Sequence, residues 1–134
     1  AVFSLFSWYD AGQAQDVGFS IMMNGGERVI AFLTLVALAP IAEEIIFRGW
    51  LYGLMRKKSS DILTNVASMI ISSFLVSLLF GLVHFQWNVG VNVFALSLVL
   101  CALREITGTI YAGIIVHMIK NGVAFWLLYV VGMV

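Results

Sequence analysis

The sequence predicts an all-α protein, a polytopic transmembrane bundle of about four membrane helices, on three observations. Of its 134 residues, 62% are hydrophobic and only 10% are charged, whereas soluble domains carry about 25% charged residues. The mean hydropathy of +1.04 excludes a disordered chain. Because a helix needs roughly 20 apolar residues to cross the hydrocarbon core, a chain of this length allows about four crossings with short connections.

The first predicted helix spans residues 28–57. Glu43-Glu44 separates its two apolar stretches, and Arg48 interrupts the second stretch. Pro40 has no N–H to donate to the carbonyl four residues earlier, so we expect it to kink this helix. A kink beside a carboxylate in a membrane helix is compatible with a cavity, although proline is also common in membrane helices without one.

The second helix spans residues 62–84 and carries no charge before His84. Small and weakly polar residues lie within about 40° of one another on one of its faces: Ser73, Ser77, Gly81 and His84. The third helix, residues 91–103, ends at Arg104-Glu105. Because it is so short, we expect it to be tilted, truncated or partly re-entrant.

The fourth helix spans residues 109–134 and contains His117, Lys120 and Asn121 within an otherwise apolar run. Small and polar residues again share a face: Gly113, His117, Asn121 and Ala124. One such face is ordinary helix packing. Two faces with a histidine, together with a kinked helix that carries acidic residues, predict that three helices converge on a common polar site.

The first 27 residues differ from the rest, since aromatic residues mix with Ser and Asp before Asn24-Gly25-Gly26. This composition predicts an interfacial segment or the tail of an earlier helix, followed by a core domain over residues 28–134. A start at Ala1 without a signal-peptide pattern favours a core excised from a longer protein.

The number and position of the charged residues indicate which partners the chain can bind and how it is oriented in a membrane. Seven Lys and Arg balance seven Asp and Glu, with no basic run longer than residues 56–58, so we expect no nucleic-acid partner. The only cysteine, Cys101, cannot form an intrachain disulfide. By the positive-inside rule the loop at residues 56–61 is cytoplasmic. We expect an integral protein of a lipid bilayer, and the short loops favour a bacterial plasma membrane.

Ionisable groups at membrane depth cost about 2.5–3.5 kcal/mol each and normally face a bundle interior. Glu44 and Arg48 are spaced i, i+4 and can pair with each other, and Lys120 can extend its amine to the interface. Adjacent helical residues point about 100° apart, so Glu43 cannot share that pairing and needs another partner. Glu43 is therefore the leading candidate for a functional carboxylate.

Motifs of several known intramembrane proteases are absent, namely His-Glu-x-x-His, Gly-x-Ser-Gly and aspartates within the apolar runs. The remaining polar set is Glu43, His84, His117 and Asn121. A carboxylate with a neighbouring imidazole can take a proton from water, and an imidazole and an amide can donate hydrogen bonds to an oxyanion. No cofactor is needed. The same Glu43, His84 and His117 also form a set of catalytic zinc ligands, so a zinc-dependent membrane protease is a second hypothesis.

Three segments of the predicted helices occur in a fixed order: Glu43-Glu44-Ile45-Ile46-Phe47-Arg48, Phe80-Gly81-Leu82-Val83-His84 and His117-Met118-Ile119-Lys120-Asn121. They resemble the EExxxR, FxxxH and HxxxN motifs of the CPBP (CAAX protease and bacteriocin-processing, Abi) family of intramembrane glutamic proteases. The resemblance covers about residues 29–125. It implies that Glu43 and His84 activate a water molecule and that His117 and Asn121 stabilise the oxyanion.

The resemblance further implies that Glu44 and Arg48 support the site of a metal-independent endopeptidase. Its substrate would be a peptide or a membrane-anchored protein. Bacterial members of the family are linked to bacteriocins and peptide signals, and eukaryotic members trim prenylated CAAX tails. Two non-proteolytic hypotheses stay open: a membrane scaffold or regulator of the same fold, and an ion pathway lined by Glu43, His84 and Lys120.

One geometric conflict concerns the depth of the two central motifs. Counted from Lys57, Glu43 lies about 21 Å into the membrane, whereas His84 lies about 33 Å from Ile62. Straight antiparallel helices would separate the two side chains by roughly 12 Å in depth. We therefore expect the first helix to tilt, kink at Pro40 or project beyond the bilayer, or the helix bounds to differ from those predicted.

Overall fold

The computed structural model describes residues 24–131, of which about 89% are helical and none are in strands. Four helices are long and apolar enough to cross a membrane: α1 (Gly25–Ser60), α2 (Asn65–Leu82), α3 (Trp87–Thr107) and α4 (Tyr111–Val131). Connections of three or four residues join them in sequence. The predicted all-α bundle with about four membrane helices is confirmed.

Helix α1 begins with a capping box. The Asn24 side chain accepts a hydrogen bond from the Glu27 backbone N–H, and the Glu27 carboxylate accepts one from the Asn24 N–H. These bonds satisfy N–H groups that the first turn of a helix leaves unpaired. The helix thus starts within the segment predicted to be interfacial, and residues 1–23 of that segment lie outside the described residues.

Helix α1 is 36 residues long and has two π-helical stretches, Leu33–Leu38 and Ile45–Leu51. In the first stretch the Ala39 N–H donates to the Thr34 carbonyl, five residues earlier. At the same spacing the Leu35 carbonyl would pair with position 40, where proline has no N–H. Pro40 therefore leaves the Leu35 carbonyl without a helix partner, whereas regular α-helical spacing would leave the carbonyl of Val36. Such π-helical turns are frequent at functional sites.

Helix α3 has 21 residues and is a complete candidate span, so the prediction of a short or re-entrant third helix is wrong. The helix continues through Arg104 and Glu105, and Glu105 accepts a hydrogen bond from Arg56 of α1 at 2.8 Å. Its end is set by Gly108, whose φ of 70° places it in the left-handed region that favours glycine.

Helices α2 and α3 approach closely at Gly81 and Gly90. A Cβ on Gly81 would lie 2.8 Å from the Gly90 carbonyl oxygen, and one on Gly90 would lie 3.0 Å from that of Gly81. Small residues are the usual means by which membrane helices bring their backbones together. This contact lies next to the connection between α2 and α3, which contains His84.

Three contacts define the antiparallel register of α1 and α2: Arg56 with Ser68 at 2.9 Å, Tyr52 with Ser73 at 3.4 Å, and Phe47 with Phe80 at 4.9 Å between ring centroids. One further turn along each helix brings Glu43 and His84 to about the same level. The expected depth conflict is resolved because the helices pair from Arg56 and Ser68 onward, and not from Lys57 and Ile62.

Candidate active site

A fully buried ion pair lies at the centre of the site. Arg48 Nη1 donates to Glu44 Oε1 at 2.9 Å, with both side chains 0% exposed, which confirms the predicted i, i+4 pair. Arg48 Nη2 donates to the Ser97 hydroxyl of α3 at 2.6 Å. The guanidinium also lies 4.5 Å from the centre of the Phe80 ring of α2, a cation–π distance. Arg48 therefore links α1 to both neighbouring helices.

His117 of α4 contacts Glu44 through one ring nitrogen. Its Nδ1 lies 3.2 Å from Glu44 Oε1, and both groups are buried. An ionised carboxylate can only accept hydrogen bonds, so Nδ1 is the nitrogen that carries a proton. Glu44 thus accepts hydrogen bonds from Arg48 and His117 on the same oxygen, and it fixes the orientation of the imidazole.

Glu43 faces the other side of the same imidazole. Its Oε2 lies 3.6 Å from His117 Nε2, and its side chain is 32% exposed, in contrast to the buried Glu44. The partner that the sequence required for Glu43 is therefore an imidazole of α4. The structure brings Glu43, Glu44 and His117 together as predicted, with one carboxylate at each nitrogen of the ring.

His84 lies just beyond the last residue of α2 and is half-buried. Its Nδ1 donates to the Phe80 carbonyl at 2.7 Å, because a carbonyl oxygen only accepts. In the neutral ring this leaves the Nε2 lone pair available to accept a hydrogen bond. The rings of His84 and His117 lie edge-on to Phe80, at 5.0 and 5.9 Å between centroids. Phe80 therefore packs against both imidazoles.

Asn121 lies one turn after His117 on α4. Its amide nitrogen donates to the Leu35 carbonyl at 3.0 Å, which is the carbonyl that Pro40 leaves without a helix partner. An amide has two N–H hydrogens, so this bond leaves one for another acceptor. The amide is therefore both a structural link between α4 and α1 and an available donor.

Sequence reasoning assigned no role to Phe80 or Ser97. Phe80 is the aromatic position of the second motif, yet its contact with Arg48 depends on the packing of two helices. Ser97 lies on a helix in which no polar face was recognised. A buried arginine needs more acceptors than one glutamate provides, and this requirement is the signal by which a serine on a neighbouring helix could have been sought.

Within residues 24–131, no group of three or more His, Cys, Asp or Glu side chains has an arrangement that could hold a metal ion. The ligands of the zinc hypothesis, Glu43, His84 and His117, therefore do not form such a group here. Cys101 is buried and packs with Tyr52 and Val76 in the apolar core. Lys120 is exposed on α4.

Comparison with known protein families gives a match over most of the chain. The family model for type II CAAX prenyl endopeptidases, called Rce1-like, matches residues 25–123. The matched range includes all three motifs, from Glu43 to Asn121. No curated protein matches the chain, and no solved structure does.

Proposed function

Since the chain belongs to the Rce1-like family of type II CAAX prenyl endopeptidases, we propose that Glu43, His84, His117 and Asn121 hydrolyse a peptide bond of a membrane-associated substrate. The family is one of CAAX-type intramembrane endopeptidases. The observation that carries the residue assignment is the approach of Glu43 and Glu44 to the two nitrogens of His117. Such a set of ionisable groups inside membrane helices is normally functional.

Glu43 is the general base in this proposal. Its partly exposed carboxylate takes a proton from a water molecule whose oxygen attacks the carbonyl carbon of the scissile bond. His84 assists, because its Nδ1 proton is donated to the Phe80 carbonyl and its Nε2 lone pair can accept a hydrogen bond from the same water. When the C–N bond breaks, the proton held by Glu43 passes to the leaving amine, and the products are a carboxylate and an amine.

His117 and Asn121 stabilise the oxyanion formed by the attack. The second amide hydrogen of Asn121 is one donor, since Leu35 takes only the first. The Nδ1 proton of His117 is held by Glu44, so Nε2 donates only when both ring nitrogens carry protons. The Glu44 carboxylate offsets the charge of that doubly protonated ring. Preorganised donors of this kind are typically the largest single contribution to acyl-transfer catalysis.

For the substrate we propose a prenylated peptide or protein with a CAAX-type C-terminus, as the family description suggests. An apolar groove of about 460 Å³ between α2 and α3 is lined by Gly81, Leu82 and Phe85, close to His84 in sequence. We propose this groove as the place for the hydrocarbon chain, since its lining is apolar and includes residues on both sides of His84 in the chain. We further propose that the loop at residues 56–61 faces the cytoplasm.

The test reconstitutes the protein in liposomes and measures cleavage of a prenylated CAAX peptide and of its unprenylated twin. We expect Glu43→Gln and His84→Ala to lower kcat by about 10²–10⁴-fold, the usual contribution of general acid–base catalysis. Glu27→Gln is the matched control, because it makes the same change at the exposed start of the same helix. It should cleave like the wild type.

Each arm of this experiment separates two hypotheses. Equal cleavage by Glu43→Gln and wild type would overturn the catalytic assignment. Loss of cleavage in a chelator, restored by added zinc, would favour the metal-dependent protease. Equal cleavage of the two peptides would remove the prenyl group from the proposal. A wild type that binds either peptide and cleaves neither would favour a scaffold or regulator.

A further inference from the structure

The second carboxylate oxygen of Glu44 occupies space that a side chain at Gly113 of α4 would fill. Glu44 Oε2 is buried and has no hydrogen-bond partner. A Cβ added to Gly113 of α4 would lie 2.8 Å from Oε2 and 3.5 Å from the carboxylate carbon. Since heavy atoms in proteins essentially never approach a Cβ that closely, any side chain at position 113 would displace the carboxylate.

The carboxylate has little room to move elsewhere. Its Oε1 is held by Arg48 at 2.9 Å and by His117 at 3.2 Å, and the side chain is 0% exposed. Gly113 also precedes His117 by one turn of the same helix, so the two residues share a face. Helix α4 therefore supplies both the imidazole and the space for the carboxylate that orients it.

We propose that Gly113 is a positioning residue. Because it has no side chain, the Glu44 carboxylate can lie where its Oε1 holds the Nδ1 proton of His117, so that Nε2 of the same ring faces Glu43. The inference rests on the proposed function, because that function gives His117 its catalytic role. Without the space at Gly113, Glu44 no longer holds the Nδ1 proton, so the imidazole is free to rotate and the nitrogen that faces Glu43 is no longer fixed.

A plain packing role would have a different structural basis. At Gly81 and Gly90, an added Cβ would meet the backbone of the facing helix, so these glycines set the distance between two helices. At Gly113, the closest atoms belong to the carboxylate of a single side chain. A methyl group there is therefore expected to displace a functional group and to leave the helix spacing nearly unchanged.

The first test compares Gly113→Ala with Gly53→Ala. Gly53 is also helical, and an added Cβ there meets nothing within 4 Å. We expect Gly113→Ala to lower kcat by about 10²-fold with little change in KM, because misplacement of a catalytic group by about 1 Å costs that much. Gly53→Ala should keep wild-type kcat and KM. Equal kinetics for the two variants would overturn the inference.

The second test does not depend on activity. The chain has two histidines, so nitrogen NMR of protein labelled only at histidine gives two rings, which His84→Gln assigns. In the wild type we expect a protonated Nδ1 in both rings. Gly113→Ala should remove the fixed Nδ1 proton from His117, while His84, bonded to a backbone carbonyl, keeps its own as an internal control.

Glu44→Asp provides a second variant, because it shortens the carboxylate without adding volume. It should give the same NMR change at His117, and its combination with Gly113→Ala should lower kcat no further than the more severe single variant, since both act on one contact. Multiplied losses, or an unchanged His117 signal, would overturn the positioning role. If the variants change the His117 signal while the wild type cleaves no peptide, the proposed function fails and the positioning of Glu44 by Gly113 stands.

Discussion

Helix α1 carries three arginines. Two of them, Arg48 and Arg56, each lie at the centre of a polar cluster, and the two clusters are built differently. The site cluster consists of Glu43, Glu44, Arg48 and His117. The loop-end cluster lies nearer the connection to α2 and consists of Tyr52, Arg56, Ser68 and Glu105. Both link α1 to other helices through an arginine and a carboxylate, so their differences separate the demands of stability from those of function.

The loop-end cluster satisfies its arginine completely. Each nitrogen of Arg56 has an acceptor: Glu105 at 2.8 Å, Ser68 at 2.9 Å and Asn65 at 2.7 Å. Glu105 also accepts a hydrogen bond from the Tyr52 hydroxyl at 2.8 Å. The two charged side chains are 19% and 26% exposed, so their desolvation is partial. Such a network favours stability and has no unused group for chemistry.

The site cluster is fully buried at its ion pair and yet incompletely bonded. Arg48 Nε and Glu44 Oε2 have no hydrogen-bond partner, and an unsatisfied buried polar group costs about 1–3 kcal/mol. Glu43 adds a partly exposed carboxylate at 3.6 Å from His117. A cluster selected for stability alone would not retain these groups. The loop-end cluster therefore holds the helices together, whereas the site cluster keeps an imidazole between two carboxylates at a cost in stability.

The largest effect is expected from Arg48→Ala, which breaks the site cluster at its centre. Glu44 would be left as a buried charge without its cation, and removal of one partner from such a pair costs about 3–5 kcal/mol. The apparent Tm in detergent should fall steeply, and peptide cleavage should disappear.

A double variant distinguishes stability from function in this cluster. Arg48→Met with Glu44→Gln removes both charges, so much of the lost thermal stability should return, since an apolar or neutral replacement of a buried pair is often tolerated. Cleavage should not return, because His117 then has no charged carboxylate at Nδ1. Recovery of both Tm and cleavage would show that the ion pair acts only as packing.

A smaller effect is expected from Asn121→Ala. One amide N–H of Asn121 bonds the Leu35 carbonyl, and the other is the proposed oxyanion donor. Loss of an oxyanion donor typically lowers kcat by about 10²–10³-fold. The Leu35 carbonyl also loses its partner, which costs about 1–3 kcal/mol when the acceptor stays buried. Both kcat and Tm should therefore fall.

Pro40→Ala in the same background separates the two roles of Asn121. The restored backbone N–H at position 40 can satisfy a carbonyl of the preceding turn, so Tm should recover while kcat stays low. If kcat recovers together with Tm, Asn121 contributes only by bonding the Leu35 carbonyl, and the oxyanion assignment is wrong. Pro40→Ala alone serves as the control for changes in α1 itself.

The sequence predicts the number of helices well, because the apolar runs are long and the charges are few. It misjudges α3, since Arg104-Glu105 looks like the end of a membrane segment, although Glu105 is bonded by Arg56. That bond joins residues 49 positions apart, and no local pattern encodes it. The depth of Glu43 relative to His84 is misjudged for the same reason, because the register of two helices depends on contacts between them.

The candidate site divides in the same way. The pair of Glu44 and Arg48 follows from i, i+4 spacing, and the need of Glu43 for a distant partner follows from helix geometry. The contact of Glu44 with His117 spans 73 positions and that of Arg48 with Ser97 spans 49. Motif resemblance brings His117 into the set, but only the packing of α1 on α4 reveals which nitrogen faces which carboxylate.

The smallest effect is expected from Arg56→Ala, which tests whether the loop-end cluster is purely structural. Hydrogen bonds between membrane helices contribute about 0.6 kcal/mol on average, and Glu105 keeps its bond from Tyr52 and its contact with solvent. We therefore expect a loss of about 1–2 kcal/mol of unfolding free energy. The value of kcat per folded molecule should match the wild type, because Arg56 bonds only to groups at the loop end of the bundle.

Lys57→Ala is the matched control for this variant, since it removes the same charge from the neighbouring, exposed position of the same helix end. Its Tm and kcat should both stay at wild-type values, so a difference from Arg56→Ala isolates the hydrogen bonds from the charge. A fall in kcat for Arg56→Ala with an unchanged Tm would contradict the division between the two clusters. It would mean that the register fixed by Arg56 and Ser68 reaches along α1 to the level of Glu43 and His84, and that the loop-end cluster belongs to the catalytic apparatus.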